Sequence, residues 1–149
     1  MSSNSTDWNN VTKETKIFTF EGRICNGKVV EVYDGDTVKI VFPLSDKEPD
    51  RLYKWNCRLI NVDTPELRTK NLKEKEFGKK VRDFLREKIL DKVVNVKCFD
   101  FDKYGRLLVE IFTIENKDVK EECINNWLIE NGYAKKYKGG TKSKWFAEE

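Results

Sequence analysis

The chain has 149 residues, enough for one domain with a single core, and carries 29 basic against 26 acidic side chains for a net charge of +3. Hydrophobic residues make up 38%, with 4 Trp, 5 Tyr and 9 Phe, so an intrinsically disordered composition is excluded. Histidine is absent, which excludes Ser-His-Asp and Cys-His catalysis and His-ligated zinc. Any chemistry must come from carboxylates, Lys, Arg, Tyr or a metal ion. Cys25, Cys57, Cys98 and Cys123 form no CxxC pair, so no zinc site is expected, and their even number leaves two disulfides open. No signal-like or membrane-spanning apolar run occurs in these residues. The expectation is a soluble, intracellular protein that does not engage a membrane.

Residues 1–14 are rich in Ser, Asn and Thr without periodicity and read as a disordered lead-in, and residues 15–149 read as one domain. Residues 15–20 alternate like a strand, 22–27 turn the chain, and 28–33 form the next strand. Asp34-Gly35-Asp36 is a hairpin signal before a strand at 37–42. After a polar loop at 43–50, residues 52–62 read as a longer strand. A second polar loop, 67–75, precedes a helix whose apolar stripe is Phe77, Val81, Phe84 and Leu85. Strands are expected at 92–99 and 107–113. A second helix starts at Asp118, whose spacing to Glu121 matches a capping box, and ends at Asn131-Gly132. This order predicts a mainly β, α+β fold: a five-stranded OB-fold barrel with two to three packed helices. An open α+β sandwich is the alternative.

Three stretches at strand–loop boundaries carry candidate chemistry. They are Asp34-Gly35-Asp36-Thr37, then Arg58 with Asp63-Thr64-Pro65-Glu66, then Asp102-Lys103-Tyr104-Gly105-Arg106. Asp36, Asp63 and the Thr64 carbonyl are hard oxygen donors that suit Ca²⁺ or Mg²⁺. Arginine forks suit a phosphodiester because they hold two phosphoryl oxygens and stay charged. Glu66 is a carboxylate able to orient or deprotonate water. Together this is equipment for metal-assisted phosphodiester hydrolysis. Basic residues also outnumber acids in 66–82 and 135–149, as an anionic partner would favour.

In this order the motifs resemble the staphylococcal (thermonuclease-type) nuclease family, over roughly residues 28–137. The resemblance implies an OB-fold barrel with three helices and a Ca²⁺-dependent, sugar-nonspecific nuclease acting on DNA and RNA, endonucleolytic by expectation. By matched position Asp36, Asp63 and Thr64 would hold one calcium ion. Arg58 and Arg106 would grip the scissile phosphate, and Glu66 would direct the water. Lys103 and Tyr104 would contact the neighbouring phosphate, with Asp34 an acid beside the metal ligands. Mg²⁺ or Mn²⁺ in place of calcium stays open. Tyr137 would bind substrate, although it stands one position earlier than the family's stacking tyrosine. A second tyrosine is replaced by the Gly-Gly-Thr-Lys loop of 138–144. A monomer with no obligate protein partner is expected.

Two other readings use the same barrel: a catalytically silent module that binds nucleic acid or protein, and a structural OB domain in a larger assembly. Asp36, Arg58, Asp63, Glu66 and Arg106 are all present, which favours the enzyme.

Overall fold

The computed structural model describes residues 5–147. Strands β1 (Ile24–Val32), β2 (Thr37–Pro43), β3 (Leu52–Leu59), β5 (Val93–Phe101) and β6 (Leu107–Phe112) close a barrel in the order β1-β2-β3-β6-β5. The expected OB-type barrel is therefore present. All neighbours are antiparallel except β3 and β6, which run parallel over only Cys57–Leu59 and Leu107–Val109. Two-residue strands β4 (Val62–Asp63) and β7 (Lys135–Lys136) form a separate ribbon. Helices α1 (Leu72–Ile89) and α2 (Ile124–Glu130) pack on the barrel.

Alternation decides the strands. In β2 the sequence Thr-Val-Lys-Ile-Val-Phe-Pro buries Val38, Ile40 and Phe42 and leaves their neighbours half-buried, as a period of two requires. The inward set of all five strands, with Leu85, Ile89 and Leu128 from the helices, makes one continuous core. The four cysteines are free thiols, so no disulfide contributes. Burial pushes the Cys57 thiol up to about 12, as expected of a cysteine acting as a small core hydrophobe.

Several expectations need correction. Strand β1 already begins at Ile24, inside the stretch expected to turn at 22–27. Residues 15–20 form no strand. Instead Phe20 is buried and meets Phe42, Trp55 and Phe101 at ring distances of 5.8, 5.0 and 5.9 Å. The segment plugs the end of the barrel opposite the Asp34–Asp36 tip, so its alternation serves aromatic packing. Of the expected lead-in, residues 1–4 lie outside the described residues, and Trp8–Asn10 form a single 3-10 turn capped by Asp7.

The long strand at 52–62 is broken. Asn61 adopts φ +66°, a left-handed conformation that asparagine tolerates better than branched residues, and this turn separates β3 from β4.

Helix α1 begins earlier than expected, at Leu72, because the Asn71 side chain accepts the Glu74 N–H at 3.1 Å. Its buried face is Gly78, Val81, Leu85 and Ile89. Phe84 is 42% exposed and stacks on Tyr133 at 4.9 Å. Phe84→Ala is accordingly expected to cost about 1 kcal/mol, the scale of an exposed aromatic pair, rather than the 3–5 kcal/mol of a core phenylalanine. A thermal melt showing a core-sized loss would refute this.

Helix α2 starts at Ile124, not Asp118. Thr113 and Glu122 exchange bonds of 2.9 Å and Cys123 bridges Phe112, so this stretch is held back against the end of β6. Asp118 gives its backbone N–H to the Asn116 side chain, in a turn. No third helix forms among the described residues; the chain after α2 contributes β7 instead.

Candidate active site

The barrel brings two of the three motif stretches together through backbone contacts. At the β1–β2 tip the Asp34 carboxylate accepts the Asp36 and Thr37 N–H groups at 3.1 and 2.8 Å. Gly35 lets this tip approach the start of the next stretch. A Cβ there would stand 2.7 Å from Val81 Cγ1 and 2.8 Å from Thr64 Cβ. The Asp36 carbonyl accepts the Leu59 N–H at 2.9 Å, tying the tip to the end of β3. Asp36, Asp63 and Thr64 are all buried. Burial, reinforced by the adjacent Asp36 charge, pushes the Asp34 carboxyl up to about 7.

Arg58 holds the turn after β3. It is 8% exposed and donates to the Leu59 and Val62 carbonyls at 2.7 and 3.0 Å. Its other partner is the Asp36 carboxylate at 3.4 Å. Its guanidinium therefore orients both the turn and one acid. Glu66 is exposed, and its backbone is fixed from α1: the Glu74 carboxylate accepts the Glu66 N–H at 2.8 Å. Gly78 on α1 faces the carbonyls of Pro65 and Glu66, where a Cβ would stand at 2.9 and 3.0 Å. Gly78→Ala would add helix propensity worth about 1 kcal/mol but set a methyl against rigid backbone. We expect the clash to win, with a lower melting temperature and a displaced Glu66. A variant as stable as the parent would show that the Pro65–Glu66 backbone yields freely.

The third stretch reaches the same region across the short β3–β6 junction. The Asp102 carboxylate caps its own loop, accepting the Tyr104 and Arg106 N–H groups and the Arg106 Nε at 2.8–2.9 Å. Burial alone would raise the Asp102 carboxyl, but these bonds outweigh it and hold it below the usual range. Arg106 is thus aligned through Nε.

Arg58, Lys103, Tyr104, Arg106, Tyr137, Lys138 and Lys142 line one open cleft of about 620 Å³. Five of the sequence-predicted residues, Arg58, Lys103, Tyr104, Arg106 and Tyr137, meet here. Asp34, Asp36, Asp63, Thr64 and Glu66 do not line it. The acids adjoin the cleft through two cleft-lining cations: Arg58, which pairs with Asp36, and Lys142, which bridges Asp63 and Glu66 at 3.3 Å each. Tyr137 sits between these cations, its ring 5.7 Å from the Arg58 guanidinium and 5.5 Å from the Lys142 ammonium.

Sequence reasoning missed Lys142 and Asn125. Lys142 was legible only as one cation of a Lys-rich loop. Asn125 is a buried polar residue on α2: its side chain accepts the Ile111 N–H and donates to the Ile60 and Val109 carbonyls at 3.0–3.1 Å. It anchors the turn that positions Arg58 and Asp63.

A closed five-stranded barrel with Asp34 and Asp36 at one hairpin tip and Arg58 and Arg106 lining an adjoining cleft defines an OB-fold protein. Residues 56–148 match the family model described as staphylococcal nuclease homologue, and the chain belongs to that family. The match begins in β3 and so leaves out Asp34 and Asp36. An uncharacterised endonuclease of Escherichia coli is 28% identical over 109 residues, covering 73% of this chain and 59% of the relative. The thermonuclease of Staphylococcus hyicus is 30% identical over 110 residues, covering 72% and 57%. The endonuclease YhcR of Bacillus subtilis is 35% identical over 119 residues, covering 74% of this chain but 9% of its own length. The chain thus spans less than two thirds of these relatives. Among the described residues no helix is long and apolar enough to cross a membrane.

Proposed function

We propose that this chain is a metal-dependent nuclease that hydrolyses phosphodiester bonds in DNA and RNA. The observation that supports it most is the junction of acids and phosphate-type cations: Arg58 and Lys142 each line the cleft and each touch an acid of the motif set. Family membership and the nuclease names of the relatives point the same way.

The residues fit a hard divalent ion. Asp36 and Asp63 are buried carboxylates beside Thr64, and a lysine ammonium already sits against Asp63 and Glu66 as a cation would. Among the described residues no three His, Cys, Asp or Glu side chains gather at metal-binding spacing, so two carboxylates, the Thr64 carbonyl and water would make up the donor set. Ca²⁺ is the proposed ion, and it would supply charge neutralisation at the phosphate. Arg58 and Arg106 hold the phosphoryl oxygens, where charge builds in the transition state. Glu66, exposed at the rim, takes the proton of the attacking water. Lys103 and Tyr104 bind the adjacent phosphate, Tyr137 contacts the nucleotide, and Asp34 orients the tip that carries Asp36.

The test is cleavage of single-stranded DNA and of RNA with Ca²⁺, Mg²⁺, Mn²⁺ or a chelator, for the parent chain and Asp63→Asn. Metal-dependent cutting that the substitution removes would establish the reading. Binding of either polymer without cutting under every ion would replace it with the silent binding module.

A further inference from the structure

Asp63 is 3% exposed, and an acid so deeply placed needs a counter-charge. Its cation is Lys142, at 3.3 Å, and the same ammonium reaches Glu66 at 3.3 Å. The contact comes from far along the chain, and the local backbone is shaped to deliver it. Gly139 and Gly140 adopt φ +96° and +80°, conformations open to glycine but strained for other residues, and so reverse the chain. The Tyr137 hydroxyl donates to the Gly140 carbonyl at 2.6 Å, which closes the reversal. Beyond it, the Lys135 ammonium donates to the Lys144 carbonyl at 2.7 Å and the Ser143 hydroxyl at 3.3 Å. Lys135 itself stands opposite Asp63 in the β4–β7 ribbon. The loop is therefore pinned on both sides of Lys142. Its side chain remains 37% exposed and lines the substrate cleft.

We propose that Lys142 is a tethered cation that shares the Asp63 carboxylate with the divalent ion and sets the site's affinity for it. The inference rests on the metal-dependent reading above and concerns this chain's own lysine. An ion held by Asp63 would meet the Lys142 ammonium, 3.3 Å from the same carboxylate, as a like charge at close range, so the ion binds at the expense of the Lys142 contact. The displaced ammonium then faces the cleft, beside Arg58, Lys103 and Arg106, where a phosphodiester would lie. Metal and nucleic acid would each favour the same released position of Lys142, so each would aid the other's binding.

Calorimetric titration of CaCl₂ into the full chain without nucleic acid tests this, so the readout does not depend on catalysis. Lys142→Met is expected to bind Ca²⁺ up to roughly fivefold more tightly than the parent, the scale of a partly exposed ion pair removed from competition. Lys142→Arg keeps the charge and should stay near the parent. Lys138→Met removes a charge from the same loop and should produce a much smaller gain. Lys142→Gln serves if the methionine variant is poorly folded by circular dichroism. Equal or weaker Ca²⁺ binding in Lys142→Met, or an equal gain in Lys138→Met, would overturn the proposal while leaving metal dependence intact. No binding of Ca²⁺, Mg²⁺ or Mn²⁺ by parent or variant would overturn both readings together.

Discussion

Glu66→Gln is expected to lower turnover on single-stranded DNA by about 10²–10⁴-fold, the usual contribution of a general base, with little change in melting temperature. The side chain is 47% exposed, and its cation partner is Lys142. Losing such a partly exposed ion pair costs at most about 1 kcal/mol of stability. The amide has nearly the same shape as the carboxylate but cannot take a proton from water. The predicted loss is therefore chemical rather than structural, and it should fall on kcat at saturating Ca²⁺ and DNA. Undiminished cutting would remove Glu66 from the reaction. Unfolding of the variant would show instead that Glu66 carries a structural load that its exposure does not suggest.

The largest expected stability loss away from the apolar core comes from Asn125→Ala. Truncation leaves the buried Ile111 N–H and the half-buried Ile60 carbonyl without the amide that serves both. The Val109 carbonyl keeps the Ile60 N–H at 2.9 Å, so it loses only one of two donors. Buried unsatisfied groups cost about 1–3 kcal/mol each, which places the substitution at about 2–5 kcal/mol. Urea denaturation followed by tryptophan fluorescence would measure it. Asn125→Asp should be at least as damaging, because a carboxylate cannot donate to the two carbonyls. A midpoint unchanged in either variant would mean that water replaces the amide at no cost. Activity is a second readout, since Asn125 supports the turn that Arg58 clamps.

The strands were legible because each inward position repeats every second residue, and the β1–β2 tip because Asp-Gly-Asp is local turn chemistry. The place of Arg58, Asp63 and Thr64 near strand ends was legible for a related reason: Asp-Thr-Pro-Glu carries its geometry within a few residues. What escaped depends on partners distant in sequence. Asn125 occupies a helix position that an apolar residue could fill, and only the fold-back of Ile60 and Val109 makes an amide necessary there. Phe84 lies on a plausible apolar stripe, yet the face of α1 that the barrel buries runs through Gly78, Val81, Leu85 and Ile89 and leaves Phe84 outward. Residues 15–20 alternate as a strand would, but no sheet edge receives them, because β5 closes the barrel on β1. Lys142 reaches the acids only through a reversal that two consecutive glycines permit.

The β4–β7 ribbon, two residues on each side, is the shortest pairing between strands in the described chain, and it carries Asp63 on one strand and leads to Tyr137 on the other. A ladder that short opens at far lower cost than the barrel strands, whose pairings run up to seven residues. On warming, the acid cluster should therefore disassemble while the barrel stays folded, so that heat silences the protein below its unfolding temperature and cooling restores it within the time needed to re-form one turn of chain. Amide exchange would reveal the same hierarchy at rest: the Tyr137 N–H should exchange well before those of β2 and β5. A Tyr137 amide as protected as the barrel would mean that site and scaffold melt as one.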